Sequence, residues 1–151
     1  MKTRFLILLL SVLFLGACSD DDAKPAVNQL TLAGESHQLN LAQYDSFDAS
    51  LTNFTLMYYP GGSHALNFVF GSIDEIPNGK YTYKAIDAPD FDSDTNFAGG
   101  NLYIEPQNDP IQITGGTVRF SKVGEDYKIV FDVETSAGRV KGNFQGPIIQ
   151  I

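Results

Sequence analysis

"TVRFSKVGEDYKIVFDVETSAGRVKGNFQ", residues 117–145, alternates apolar and polar side chains and breaks that alternation at two places, Gly124-Glu125 and Ala137-Gly138. A period of two is that of a strand with one face in a core, because successive side chains leave a pleated backbone on opposite sides. Tyr127, Ile129, Phe131 and Val133 then share one face, and Lys128, Val130, Asp132 and Glu134 the other. The interruptions are turn-forming residues. The stretch therefore predicts three strands, over residues 117–123, 127–135 and 139–145, with short turns that make neighbours antiparallel.

The same pattern recurs upstream. Residues 54–59 and 64–70 flank Pro60-Gly61-Gly62-Ser63 as a hairpin, with Phe54, Leu56 and Tyr58 facing the core from one strand and Leu66, Phe68 and Phe70 from its partner. Residues 29–33 and 38–42 flank Gly34-Glu35-Ser36. Residues 80–86 follow the turn Pro77-Asn78-Gly79, and residues 101–105 follow a long loop. No segment carries a convincing 3.6-residue period. About nine short strands at this spacing predict an all-β fold, an antiparallel β-sandwich or a flattened meander barrel.

The first residues follow another logic. Lys2 and Arg4 precede an apolar run over residues 5–15. Eleven residues are too few to cross a bilayer, which takes about 20, and the flanks match a cleaved export signal over residues 1–17. The polar stretch 18–27, with Pro25, reads as a tether, and residues 28–151 as a single all-β domain. Cys18 is the chain's one cysteine, so no disulfide can form within it.

Leu15-Gly16-Ala17-Cys18 resembles the bacterial lipobox, and Ser19-Asp20-Asp21-Asp22 behind it resembles the export signal of surface lipoproteins of the Bacteroidetes. Residues 113–147 resemble the C-terminal hairpins of small all-β lipoproteins of that group: a Gly-Gly turn, a Tyr-led strand and a Gly-x-Phe-x-Gly-Pro ending. The resemblance implies a covalent lipid on Cys18, an address read from Ser19, Asp20, Asp21 and Asp22, and an outer-membrane location facing the exterior. Several acyl chains together give stable anchoring.

Of 10 basic residues, Lys2 and Arg4 leave with the leader, so 8 face 18 acidic ones and the mature formal charge is −10. That balance excludes nucleic acid as a partner, since phosphate contacts need clustered Lys and Arg.

Asp90, Asp92, Asp94 and Asn96 place oxygen donors at every second position, as in the first half of a calcium loop, and make calcium the one candidate metal. Thr95 and Asn101 depart from that pattern where glycine and glutamate are needed. His37 and His64 are expected apart, each on the solvent side of its strand. No nucleophile elbow, metal set or phosphate loop is evident, so an enzyme is not expected. Tyr81 and Tyr83, two apart on one strand, offer a ligand surface if exposed and core packing if not. Tryptophan, the widest stacking ring, is absent. The reading is a non-catalytic binding or accessory domain with a surface protein or glycan partner. The alternatives are a glycan-binding module or a lipocalin-like carrier or inhibitor of a small apolar ligand, although the Phe-rich faces suggest a filled interior.

Overall fold

The structure is a computed structural model and describes residues 28–151 other than 47–49, 61, 63, 72, 74 and 108. The leader and tether, with Cys18, Ser19, Asp20, Asp21 and Asp22, lie outside the described residues. Among the described residues there are twelve strands and no helix. In chain order they begin with β1 (Gln29–Leu32), β2 (Glu35–Gln38), β3 (Leu41–Ser46), β4 (Leu51–Met57), β5 (His64–Gly71) and β6 (Gly79–Tyr83). Then come β7 (Asn96–Phe97), β8 (Gly99–Ile104), β9 (Ile111–Val123), β10 (Asp126–Thr135), β11 (Gly138–Gly146) and β12 (Ile148–Gln150).

Ten of them form one continuous, strongly curled sheet, a half-barrel in the order β12-β3-β4-β5-β8-β9-β10-β11-β1-β2. The sheet is mixed: β12 runs parallel to β3, and β6 parallel to β7. A purely antiparallel meander is thus corrected, because the chain returns β12 to β3 and β1 to β11, and slots β6 beside β9. The β1–β2 turn also moves. It is Ala33-Gly34, with φ of 51° and 88°, so residues 38–42 are not one strand but the passage from β2 to β3.

β9 makes the curl. Its first residues pair with β8 and its later ones with β6, while β10 lines its other edge throughout. Between Glu134 and Thr135 of β10 the register slips, leaving Thr114 of β9 as an extra residue. Such a bulge bends and twists its strand. It also reverses the phase: Ile111 and Ile113 point inward before it, Val118 and Phe120 after it. Gly116 has φ +99°, and a Cβ there would stand 2.3 Å from the Asp132 carbonyl oxygen.

The curl brings the two halves face to face over an aromatic core. Phe54 of β4 meets Phe120 of β9 at 5.2 Å, and Phe68 of β5 meets Phe131 of β10 at 5.9 Å. Phe70, Phe97 and Phe144 are also buried. The Phe131 ring lies over Gly142, its cross-strand partner, so a small residue in β11 makes room for a large one in β10. Every buried side-chain nitrogen and oxygen among the described residues has a hydrogen-bond partner.

Gly116→Ala should therefore lower unfolding free energy by about 2–4 kcal/mol, combining left-handed strain with a backbone clash. Gly124→Ala, at a turn with φ +64° and open space around it, should cost only about 1 kcal/mol. Urea unfolding of both variants checks this, and equal losses would show that the close approach of Gly116 to the Asp132 carbonyl carries no special cost.

Candidate functional site

The acidic loop between β6 and β7 holds itself together. Lys84 Nζ donates to the Asp90 carboxylate at 2.8 Å and to its carbonyl oxygen at 3.1 Å. Asp92 accepts from the Asp94 N–H at 3.0 Å and from the Thr95 hydroxyl at 2.9 Å. Asn96 is buried; its side-chain oxygen accepts from the Asp92 N–H at 3.0 Å, and its Nδ2 donates to the Thr82 carbonyl at 3.3 Å. The hydrogen bond and charge of Lys84 hold the Asp90 carboxyl below the usual range, and the Asp94 N–H and Thr95 hydroxyl do the same for Asp92. Asp90, Asp92, Asp94 and Asn96 are not brought together as a ligand set. Among the described residues, no group of three or more His, Cys, Asp or Glu could hold a metal ion. The oxygens of Asp90, Asp92 and Asn96 instead accept from Lys84, Thr95 and the loop's own N–H groups.

Tyr81 and Tyr83 do share a side of β6, but it faces inward. Tyr81 is buried, edge-on to Phe70 at 5.2 Å, and Tyr83 packs edge-on to Phe97 at 5.8 Å. Burial pushes the Tyr81 phenol up, partly offset by a hydrogen bond with the Asn78 backbone, while the Asp94 charge raises it further. These tyrosines pack the core and do not form an exposed platform.

The histidines also depart from expectation. His64 is buried with Nε2 against the Gln38 carbonyl oxygen, and its ring centroid lies 5.2 Å from that of His37. Tyr58 stacks on it from another side, at 5.9 Å and 20°. The rings meet because the chain turns from β2 into β3 beside the start of β5.

A groove of mixed character lies on the outer face of β4, β5 and β8, with a volume of about 380 Å³ and with Leu51, Ala65 and Val69 among its lining. Strand register aligns its floor. Gln43 of β3 stands opposite Thr55 of β4, Thr55 opposite Asn67 of β5, Asn67 opposite Asn101 of β8, and Asn101 opposite Gln112 of β9. Asn67 Nδ2 donates to Thr55 Oγ1 at 3.2 Å. Asn53 adds another amide, and Asp45 stands beside it on β3. Tyr103, 42% exposed, rims the groove opposite Ala65. Sequence reading passed over this row because polar residues at alternate positions are the ordinary outer face of a strand, and the row exists only through register.

The outer face of β1, β10 and β11 is different in kind. Its groove, about 480 Å³, includes Lys128, Asp132 and Lys141. Asp132 accepts from Arg139 Nε at 2.5 Å and Nη2 at 2.7 Å, with Lys141 Nζ at 3.6 Å. The Arg139 hydrogen bonds, aided by both cationic charges, hold the Asp132 carboxyl below its usual range.

No protein-family model matches the chain, and comparisons with curated proteins and with solved structures find no match either.

Two outcomes follow. Asp92→Ala should speed amide exchange at Asp94 several-fold, equally with calcium or a chelator present; protection that returns only with calcium would restore a metal role. Asp132→Asn should cost at most about 1 kcal/mol at neutral pH, as for an exposed ion pair. Because the folded pKa is depressed, this contribution is present above the unfolded value of about 3.9 and fades as pH falls through the folded one. Urea midpoints of the two proteins should therefore converge in acid.

Proposed function

We propose that this chain is a lipid-anchored, non-catalytic binding module displayed on the outer membrane, with residues 28–151 as one all-β domain shaped as a flattened barrel. The observation that carries the reading is where space lies. Among the described residues, aromatic rings from both halves pack the interior, and the two grooves described above lie on outer faces. A lipocalin-like carrier would need an internal cavity where Phe54, Phe68, Phe120 and Phe131 pack. A binding surface needs only what the outer faces supply.

The tether's exit suits display. Asn28, the first described residue, grips the Gln145 backbone twice: its Nδ2 donates to the carbonyl at 2.9 Å and its Oδ1 accepts from the N–H at 2.8 Å. The amide imitates a paired strand residue and ties the start of the domain to β11. Residues 18–27 then serve as the tether, the lipid on Cys18 supplies the anchor, and Ser19, Asp20, Asp21 and Asp22 supply the outward address.

Cys18→Ser should release the protein from the membrane fraction. Replacing Asp20, Asp21 and Asp22 by Asn should leave it membrane-bound but hidden from a membrane-impermeant label on intact cells. Undiminished labelling of the triple variant would remove the address, and a membrane-bound Cys18→Ser protein would remove the anchor.

A further inference from the structure

We infer that the groove on the outer face of β4, β5 and β8 is a binding site for a neutral, polyhydroxylated chain, a linear oligosaccharide lying across the strands. This deepens the proposed function and rests on its reading of the domain as a binding module.

Three observations select the ligand class. The groove is lined by amide, hydroxyl and apolar groups, with no charged side chain, in a chain of formal charge −8. Side-chain amides both donate and accept, which suits hydroxyls that do the same. An anionic ligand would find no cation in this lining, and the carboxylate of Asp45, opposite Asn53, stands outside it. Tyr103, more than a third exposed at the rim, offers a flat ring for the apolar face of a pyranose.

The geometry adds direction. Thr55, Asn67 and Asn101 form one row perpendicular to the strands, extended by Gln43 and Gln112 on the flanking strands. Adjacent strands are about 4.8 Å apart, close to the length of one pyranose unit along a chain. A linear oligosaccharide along the row would therefore meet one polar side chain per ring.

A peptide fits less well. Peptides that join sheets do so at an edge, through unpaired backbone groups. Here β4 and β5 are mid-sheet, bonded on both sides along the groove. Protein interfaces concentrate apolar and aromatic residues at their centres, whereas here Asn67 stands in mid-groove between Thr55 and Asn101, with Leu51, Ala65 and Val69 around that row.

The test is isothermal titration of the full-length chain, held in a sugar-free detergent, with neutral linear gluco-, manno- and xylo-oligosaccharides and with an acidic oligogalacturonate. At least one neutral ligand should bind. Asn67→Ala, Asn101→Ala and Tyr103→Ala should each weaken it by about threefold to tenfold, and Lys141→Ala, on the other outer face, should leave it unchanged. Urea midpoints verify folding, with Asn67→Ser and Asn101→Ser replacing any alanine variant that fails to fold. Failure of all the neutral ligands, binding of the acidic one alone, or equal affinity in the groove variants would overturn the inference, as would a peptide partner cross-linked to Tyr103. Because titration does not depend on cellular location, its failure and a failure of surface labelling are separate results.

Discussion

One extra residue in β9 governs the shape of this molecule. Before Thr114 the inward positions are Ile111 and Ile113, and past it they are Val118 and Phe120. A strand of 13 residues without that insertion would turn its apolar set to solvent halfway along, since side-chain phase is fixed by the pleat. With it, a single strand borders β8 at one end and β6 at the other and keeps an apolar face toward the core in both. Gly116 permits the close backbone approach that the bend demands. The contacts of Phe120 with Phe54 and Phe70 follow from it.

A sheet curled this far must carry its chain from one half to the other without losing backbone hydrogen bonds. Leu39 and Asn40 do so between β2 and β3. The Leu39 N–H bonds the Asn28 carbonyl on one side, and the Asn40 N–H bonds the Met57 carbonyl on the other. The Asn40 side chain then pairs with both backbone groups of Tyr59, at 2.7 and 2.8 Å. It does at this corner what Asn28 does against Gln145. Both asparagines extend pairing where the chain no longer runs as a strand, and so satisfy groups that would be costly to leave unpaired. The second passage, from β11 into β12, lays β12 parallel along β3 and covers an edge that would otherwise be open.

The all-β class was readable in the sequence wherever alternation ran unbroken. β10 and β11 lie within a residue of where the pattern of residues 127–145 places them. The misses have a common origin in pairing between distant segments. The first half of β9 was hidden because Gly115-Gly116 reads as a turn and the phase flips there. β7 and β12 are too short to show a period and exist through their partners. His37 and His64 are 27 positions apart and meet only across a corner. The acidic loop shows the limit most clearly. Alternating carboxylates look the same in a cation loop and in a loop closed by Lys84, Thr95 and its own N–H groups. Only the fold decides which donors arrive.

The two outer faces show what the core does not require. The β10–β11 face carries the usual dress of an exposed sheet, with Lys128, Asp132, Glu134, Arg139 and Lys141 in alternation. The β4–β5–β8 face places Asn53, Asn67 and Asn101 at strand interiors on three adjacent strands. Asparagine is poorly suited to such positions, where threonine or valine would stabilise the sheet better. Nor is it needed for solubility in a chain already at −8. Folding can explain amides at corners, as for Asn28 and Asn40, because there they complete backbone bonding. In the middle of a sheet whose backbone is already paired, that role is taken. Asn67 gives one donor to Thr55 of the neighbouring strand, and under the binding reading proposed above the rest of the row is left to meet a ligand.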